Sequence, residues 1–317
     1  MNNKAQYRLF CQQHPELPLF FQDWWLDAVC GEQWDVCIAR SKGGPIMAVL
    51  PYAINRKWGL QHSRQPLLTP YLGIWFNYPA DLKQRIAFEN KYTYALLKQL
   101  PTFWYYRQNF HPRYHNWLVF RWRKFHQTTQ YTYLLKNIRH FEAIEKGIRP
   151  ITRRKIKKAR QIVQIESNED AAAFYQINQQ TFARKGLHLR YTKAQFLQID
   201  QLLKQRNCRK IIWAKDKDHQ IHAAAYLVWD QQTAYYLAGG FNPQFKDSNA
   251  LFLVLFEAIR SMSTQVDHFD FEGSVVRSIE RVFRSFGAQQ TPFFTLTKSR
   301  HWWVDLAFLL LKKRSLG

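Results

Sequence analysis

The sequence predicts an α/β protein built from two domains. The chain has 317 residues, 46% of them hydrophobic, so it can bury a substantial core. A length of this order favours two domains. Strand-like and helix-like segments alternate along the chain, and the second half repeats the order of elements in the first. Aromatic residues make up 16% of the chain, which excludes an intrinsically disordered protein.

The first half opens with a helix and a hairpin. Helical spacing predicts a helix over residues 21–30. Apolar runs predict strands at 34–39 and 46–54, joined by a hairpin turn at 42–45. Residues 66–76 form a further extended apolar run. These segments together predict a meander of strands behind an amino-terminal helix.

A longer helix and three strands complete the first half. Helical spacing covers residues 80–100, and Pro101 ends the pattern. The strands are predicted at 102–106, 117–120 and 131–135.

The second half begins with a basic helix near residues 150–161 and a short strand at 163–166. Asn168 is predicted to cap a helix that runs to about Arg184, and Thr192 to cap the next helix. The remaining predicted elements are strands at 208–215, 221–229 and 233–238, a helix at 248–262, a strand at 268–271, a helix at 275–286 and a strand at 292–297.

The order of elements is therefore similar in the two halves, without clear sequence repetition. Residues 137–147 carry no strong strand pattern and end in glycine. We therefore predict a domain boundary in this region, with an N-terminal domain over 1–145 and a C-terminal domain over 146–317.

The charge of the chain indicates an anionic partner. Lys and Arg number 46 against 23 Asp and Glu, a formal net charge of +23. No acidic residue occurs between Glu89 and Glu142, and residues 103–126 combine ten aromatic side chains with five Lys or Arg. Such a surface can bind phosphate and stack bases or sugars. The alternative is a set of core strands whose exposed edges carry arginine.

The densest basic run is Arg149–Arg160, with seven basic residues in twelve. On a helix, Ile151, Ile156 and Ala159 would face inward. Candidate partners are a tRNA, a nucleotide-linked or diphosphate-linked glycolipid and an anionic membrane. The face predicted to meet solvent and bind the phosphates of a substrate consists of Arg153, Arg154, Lys157 and Lys158.

The sequence predicts no metal site and no disulfide. The four cysteines form no CxxC pair, which is typical of small apolar side chains in a reducing compartment. His219 and His222 have HxxH spacing, but on a turn and a strand and without an evident third ligand.

Cytoplasmic residence is the expected location. No segment reaches the length of a membrane span, and the N-terminus lacks the apolar core of a secretion signal. Residues 301–311 (HWWVDLAFLLL) precede three basic residues at 312–314. They are interpreted either as a closing helix docked on the core or as a helix that makes peripheral contact with the inner face of a membrane.

Several short motifs resemble one protein family. They are the basic helix segment Arg154–Ala159, the turn at 184–187, Ala238–Gly240 at a strand end, Asp270–Gly273 (DFEG) at a second strand end, and Phe283–Gly287 (FRSFG). In this order they resemble the FemAB/FemX-type branch of the GNAT (N-acetyltransferase) superfamily.

The resemblance implies a fold and an activity. The fold would be α/β (α+β), with two tandem GNAT-like domains, each a central mixed sheet flanked by helices. The activity would be transfer of an acyl or aminoacyl group from acyl-CoA or aminoacyl-tRNA, as donor substrate and not as a permanently bound cofactor. The acceptor would be an amine on a cell-envelope or saccharide precursor, as peptidoglycan precursors are for Fem enzymes. The alternative function is a non-catalytic GNAT-like scaffold that binds RNA or anionic lipid through its basic aromatic surface.

The resemblance also indicates a donor-binding loop at 240–249. This loop lacks the second and third glycines of the family's "Q/R-x-x-G-x-G/A" pattern, whose backbone amides bind the CoA pyrophosphate. The departure favours a Fem-like donor over CoA. The residues predicted to bind the donor are Gly239, Gly240, Lys246, Ser248 and Asn249.

Candidate catalytic residues lie on the two strands that separate in the family plan. Asp270 and Glu272 are the candidate general bases, and strand alternation would place both side chains on one face. The alternative is that one of them caps the next helix, near Ser274. One of the adjacent Tyr235 and Tyr236 is expected to face the site, with core packing as the alternative for either. Glu257, inside an apolar helix, is expected to pair with an arginine.

Overall fold

The computed structural model describes residues 2–57, 59–184, 186–273 and 277–301. The chain divides into two compact units. The first unit comprises Met1–Gln130 with Pro292–Gly317, and the second comprises Tyr131–Thr291. The functional division predicted between residues 145 and 146 stays a prediction.

The first unit contains the hairpin and the long helix that the sequence predicts. Gly31, which follows the second helix, has φ +58°, a conformation that glycine adopts without strain. The elements of this part of the chain are α1 (Asn3–Gln13), a 3-10 turn (Leu19–Phe21), α2 (Asp23–Cys30), β1 (Trp34–Arg40), β2 (Ile46–Ala53), β3 (Asn55–Lys57), β4 (Leu60–Ser63), β5 (Trp75–Phe76), α3 (Arg85–Gln99), β6 (Tyr105–Asn109), α4 (Leu118–Trp122), β7 (His126–Lys136) and β13 (Gln289–Ser299).

Two groups of strands build the sheets of the first unit. Strands β1, β2 and β5 form a small antiparallel sheet, and every residue of β2 is buried. Strand β4 pairs with β3 on one side and runs parallel to β6 on the other, and β6 pairs antiparallel with β13. Because β2 is buried along its whole length, it reads as a continuous apolar run rather than an alternating one.

Two predictions for the first unit are wrong. Residues 117–120, predicted as a strand, belong to the helical turn α4, whose Val119 and Phe120 are buried. Only Trp75–Phe76 of the apolar run at 66–76 is a strand. A four-residue apolar run has no periodicity that separates a strand from a buried helical turn, which explains the first error.

The second unit holds five complete strands and the part of β7 from Tyr131 onward, in one mixed arrangement. Their order is β7-β12-β11-β10-β9-β8, and all neighbours run antiparallel except β11 and β12, which are parallel. The predicted α/β class with a central mixed sheet flanked by helices is thereby confirmed. The remaining elements are α5 (Phe141–Gly147), α6 (Pro150–Ala159), β8 (Gln164–Ser167), α7 (Ala171–Ala183), α8 (Lys193–Gln205), β9 (Arg209–Lys215), β10 (Ile221–Trp229), β11 (Thr233–Phe241), a 3-10 segment (Pro243–Ser248), α9 (Ala250–Met262), β12 (His268–Asp270) and α10 (Arg277–Ser285).

The helix caps of the second unit agree in part with the sequence. Thr192 caps α8 in a full capping box with Gln195, as predicted. Helix α7 is capped by Asp170, whereas Asn168 accepts a hydrogen bond from the Asp170 backbone N–H. Asn168 therefore lies two residues before the N-cap and forms a turn that positions Asp170, the residue that caps α7.

The basic helix α6 is confirmed with one change on its inner face. Ile156 and Ala159 are buried as predicted, but Ile151 is exposed and Thr152 is buried in its place. Pro150 occupies the first helical turn, which explains why α6 begins there.

All four cysteines are free; Cys11 and Cys37 are buried, whereas Cys30 and Cys208 are partly buried. Burial raises the pKa of Cys208 to about 11. Among the described residues, no helix has the length and apolar content of a membrane span. The interfacial helix predicted from residue 301 onward lies almost entirely outside the described residues.

Candidate functional site

The site begins where the two parallel strands of the second unit separate. Strands β11 and β12 pair at three positions, from Thr233 with His268 to Tyr235 with Asp270. Strand β12 ends there, whereas β11 continues to Phe241. The backbone of β11 beyond Tyr235 thus extends past its parallel neighbour. We call this region the strand split.

At the strand split, a β-bulge changes the direction in which the side chains of β11 point. The register between β10 and β11 shifts so that Tyr226 opposes Ala238 whereas Leu227 opposes Tyr236. The ring of Tyr236 consequently lies against Gly239, and a Cβ atom on Gly239 would overlap the Tyr236 hydroxyl. Burial raises the pKa of Tyr236, so its phenol stays protonated.

Helix α7 packs directly on β11 at the strand split. A Cβ atom on Gly240 would lie 2.9 Å from Ile177 Cγ2 and 3.1 Å from the Asn178 backbone nitrogen, so only glycine permits this approach. Asn178 Nδ2 donates to the Gly239 carbonyl oxygen at 2.7 Å, and the Tyr191 hydroxyl donates to Asn178 Oδ1 at 2.8 Å. Gly240 is therefore required for helix packing, and Asn178 links the strand backbone to Tyr191.

Glu272 occupies the turn that follows β12. Its backbone has φ +58°, a left-handed conformation that costs a non-glycine residue free energy. Its Oε1 atom is buried and has no hydrogen-bond partner among the described residues. Burial, followed by the negative charge of Asp270, raises the pKa of Glu272 well above its ordinary value. A strained backbone and an unpartnered carboxyl oxygen coincide at one residue, as they do at functional sites.

Asp270 lies at the end of β12 and is engaged in hydrogen bonds. Its side chain is buried, and Oδ1 accepts the Glu272 backbone N–H at 2.7 Å as well as the Thr132 hydroxyl. The prediction that alternation places both carboxylates on one strand face is wrong, because β12 ends at Asp270 and Glu272 is left-handed. Asp270 therefore positions the turn that carries Glu272. Whether Glu272 caps the next helix is not described, because residues 274–276 lie outside the described part of the chain.

Tyr191 is joined to the site through its hydrogen bond to Asn178. Burial raises the pKa of Tyr191 first, and the charges of Tyr175 and then Glu272 raise it further. Hydrogen bonds thus group Tyr191, Asn178 and Gly239. Neither Asn178 nor Tyr191 is predicted from the sequence. A signal for Asn178 was present, since it is a polar residue on the inner face of an apolar helix and is 2% exposed.

The structure does not bring Tyr235 to this group. Its ring is buried, and its hydroxyl donates to Asp230 Oδ2 at 3.0 Å, in the turn that precedes β11. Of the two adjacent tyrosines, Tyr236 is the one that lies at the strand split.

The predicted donor-binding loop satisfies many of its own polar groups. The Ser248 hydroxyl donates to the Phe245 carbonyl at 2.7 Å and accepts the Ala250 N–H at 3.3 Å. Asn249 has φ +57° and is partly buried, and Lys246 is exposed. The amide at the start of α9 is thus already bonded within the loop, which disfavours a pyrophosphate cradle of the kind that the family pattern builds.

The HxxH pair does not form a metal site. His222 Nε2 contacts Asp216 Oδ2 at 3.0 Å, and the His222 ring stacks on Phe245 with centroids 3.9 Å apart. The described residues contain no group of three or more His, Cys, Asp or Glu side chains that could hold a metal ion. His222 instead anchors the loop to β10.

Helix α6 presents an exposed basic face near α9. Lys155 lies over the Phe252 ring at 4.3 Å, and Arg160 pairs with Glu257 at 3.3 Å, so the two helices pack together. Glu257 also pairs with Arg260, which confirms the predicted ion pairing. The four exposed residues form no ion pair with any residue that the structure describes, and we call them the α6 basic face: Arg153, Arg154, Lys157 and Lys158.

Comparisons with known proteins agree with this geometry. Residues 146–281 match the family model of the acetyltransferase (GNAT) domain. No curated protein matches the sequence. Among solved structures, FemX is similar with a TM-score of 0.67 at 12% identity, covering 92% of this chain and 95% of FemX.

Two further structures share the fold. One is the C-terminal domain of a putative lysylphosphatidylglycerol synthetase from Agrobacterium fabrum, with a TM-score of 0.54, 12% identity and 96% coverage of both chains. The other is L-PGS from Bacillus licheniformis, with a TM-score of 0.50, 11% identity and 90% coverage of both chains. The family match and the shared fold together confirm the resemblance stated from the motifs. Residues 146–281 therefore match a GNAT domain, and the chain shares the fold of FemX.

Proposed function

We propose that this protein transfers an acyl or aminoacyl group from a carrier to an amine, and that Glu272 accepts the proton released by that amine. The observation that carries the proposal is the Oε1 atom of Glu272, which is buried and has no hydrogen-bond partner among the described residues, beside the strand split. A non-catalytic scaffold would have no need to keep a strained residue with a buried, unpaired carboxyl oxygen.

The chemistry requires a base of raised pKa. An amine is protonated in neutral water and must lose a proton before its nitrogen can attack a carbonyl carbon. A base is most effective when its pKa lies near the working pH, and burial moves the pKa of Glu272 upward toward that range. In the proposed reaction the N–C bond forms, the bond from the carbonyl carbon to the carrier oxygen or sulfur breaks, and the carrier leaves with a proton.

The backbone and side chains around Glu272 can position the reactants. The backbone of β11 beyond Tyr235 lies alongside the reacting region, where amide N–H groups can stabilise an oxyanion. Asn178 and Tyr191 hold that backbone from the α7 side. Asp270 fixes the turn of Glu272, so it acts as a positioning residue rather than as a catalytic one.

The nature of the donor follows from where phosphates can bind. The loop before α9 bonds internally at Ser248 and Ala250, whereas the α6 basic face offers four exposed cations. This distribution favours an extended polyanion, an aminoacyl-tRNA, over the compact pyrophosphate of acyl-CoA. The proposed acceptor is an amine on a cell-envelope or saccharide precursor, with a cytoplasmic setting for the reaction.

A ligand panel tests the proposal on the intact protein. A ligand that binds only the native state raises its stability by about 2.7 kcal/mol at a concentration 100 times its dissociation constant. We expect aminoacyl-tRNA to raise the melting temperature more than uncharged tRNA, and acetyl-CoA and longer acyl-CoAs to do so weakly. A shift with acyl-CoA alone would correct the donor, and a panel without any shift would contradict the proposal.

A further inference from the structure

The helical turn α4 in the first unit has an unusual outward face. Val119 and Phe120 point into the core, which leaves Leu118 and Trp122, four residues apart, on the solvent side. Leu118 is 47% exposed and Trp122 is 53% exposed. Positions that face water are usually polar. An exposed Leu–Trp pair therefore indicates a surface that binds a membrane or another molecule.

Helix α3 adds an aromatic ring and two positive charges beside Leu118 and Trp122. The Tyr94 ring stacks on Trp122 with centroids 6.2 Å apart and an interplanar angle of 20°. Lys91 and Lys98, three residues before and four after Tyr94, are exposed on the same side of α3. Two lysines therefore flank the aromatic pair.

Further basic residues surround Leu118 and Trp122. Arg121, Arg123 and Lys124 are exposed around Trp122, and Lys298 Nζ donates to the Arg123 carbonyl at 3.0 Å. Burial, and then the positive charges of Arg123 and Lys124, lower the pKa of Lys298, as expected in an uncompensated cationic cluster. None of these rim residues forms an ion pair with a described residue.

We infer that this face, the α4 patch, docks the protein on the surface of a membrane that contains anionic lipids. It consists of an apolar centre (Tyr94, Leu118 and Trp122) and a basic rim (Lys91, Lys98, Arg121, Arg123, Lys124 and Lys298).

The composition of the patch separates a membrane from other anionic partners. Trp and Leu side chains enter the boundary between headgroups and acyl chains, and basic residues beside them bind anionic headgroups. A nucleic acid would bind the basic rim through its phosphates and stack a base on an aromatic ring. One face of the Trp122 ring is already covered by Tyr94, and the Leu118 side chain can neither stack on a base nor form a hydrogen bond with it. The sequence between Glu89 and Glu142 contains no acidic residue that would repel anionic lipid.

Vesicle binding by the full chain tests the inference. We expect co-sedimentation with vesicles of phosphatidylcholine and phosphatidylglycerol, and little with phosphatidylcholine alone. The variant Arg121→Ala/Arg123→Ala/Lys124→Ala should bind about five-fold more weakly for each lost charge. The variant Leu118→Ser/Trp122→Ser should bind about ten-fold more weakly, because less apolar surface enters the bilayer.

Matched controls keep the result interpretable. Leu9, which is 46% exposed on α1, gives Leu9→Ser as the apolar control, and Lys42→Ala is the charge control. Both controls should bind like the unaltered protein. All variants are first compared by melting temperature, and a destabilised one is replaced by a milder change, Trp122→Gln or Arg121→Gln.

Three outcomes would overturn the inference. The first is undiminished vesicle binding by both patch variants. The second is loss of binding only when the basic residues at 312–314 are replaced by alanine, which would assign membrane contact to the carboxy-terminal segment. The third is absence of vesicle binding together with binding of a 20-nucleotide RNA that the Arg121, Arg123 and Lys124 changes abolish.

Discussion

Replacing Glu272 by glutamine separates its chemistry from its structural role. Glutamine keeps the size of the side chain and tolerates the same left-handed backbone, but it cannot accept a proton. Loss of a general base lowers turnover by about 10²–10⁴-fold. We therefore expect Glu272→Gln to lose activity with the identified donor by a factor in this range, while the folded structure is kept.

The difference in stability between this variant and the unaltered protein should depend on pH in a defined direction. Burial raises the pKa of Glu272 in the folded state, so the folded protein holds this proton more tightly than the unfolded chain does. Stability then falls as pH rises from the ordinary glutamate pKa, about 4.3, to the raised folded pKa. Glu272→Gln removes this penalty, so it should melt higher than the unaltered protein at pH 8 and equally near pH 4.

Two further variants complete the experiment. Glu142→Gln, at an exposed position on α5, should change neither turnover nor the pH dependence of melting. Glu272→Gly should lose turnover and gain stability of about 1 kcal/mol or more, because glycine adopts φ +58° without strain. Melting curves from pH 4 to 8 and turnover per folded molecule are measured together. Full turnover in Glu272→Gln with a stability loss of about 0.5–2 kcal/mol would refute the reasoning and assign Glu272 to a helix cap.

Two other predictions follow from the site. Gly240→Ala should destabilise the protein by about 1–3 kcal/mol, because the new Cβ atom would meet the α7 backbone 3.0 Å away at Ile177, and an unchanged melting temperature would show that α7 can move freely. Replacing the α6 basic face by alanine should flatten the salt dependence of tRNA binding by nearly one unit of log–log slope for each lost phosphate contact, measured by filter binding, whereas an unaltered slope would exclude the face from phosphate binding.

Local patterns were sufficient for the architecture of the second unit. The apolar strands, the Thr192 capping box and the long apolar helix α9 are each specified by neighbouring residues, and each was predicted close to its observed bounds. The DFEG motif predicts Glu272 as a candidate site residue. Its role as the base stays a proposal.

The features that the sequence did not reveal depend on distant partners. The left-handed turn at Glu272 is held by the Asp270 side chain and by Gly273, where a Cβ atom would overlap the Tyr131 carbonyl. Asn178 bonds to a carbonyl 61 residues away, at Gly239. Alternation and helical spacing report which face a residue occupies, but not which backbone group from another element it meets.

The error at residues 117–120 has a related cause. The segment offers four apolar residues in a row, and a strand and a helical turn bury such a run equally well. Only the packing of Val119 and Phe120 against the core selects the helix, and that choice places Leu118 and Trp122 outward. A strand would instead have placed Leu118 and Trp122 on the same face as Phe120, opposite Val119.

The central claim is that the strand split beside Glu272 catalyses acyl transfer to nitrogen. The most direct measurement is single-turnover transfer of an isotopically labelled acyl group from the donor identified by the ligand panel, with products resolved by mass spectrometry in the presence of amine acceptors. The account predicts a labelled amide with the unaltered protein and Glu142→Gln, and formation slowed by about 10²–10⁴-fold with Glu272→Gln. Label that stays on the carrier with every amine, or an amide formed equally fast by Glu272→Gln, would contradict it.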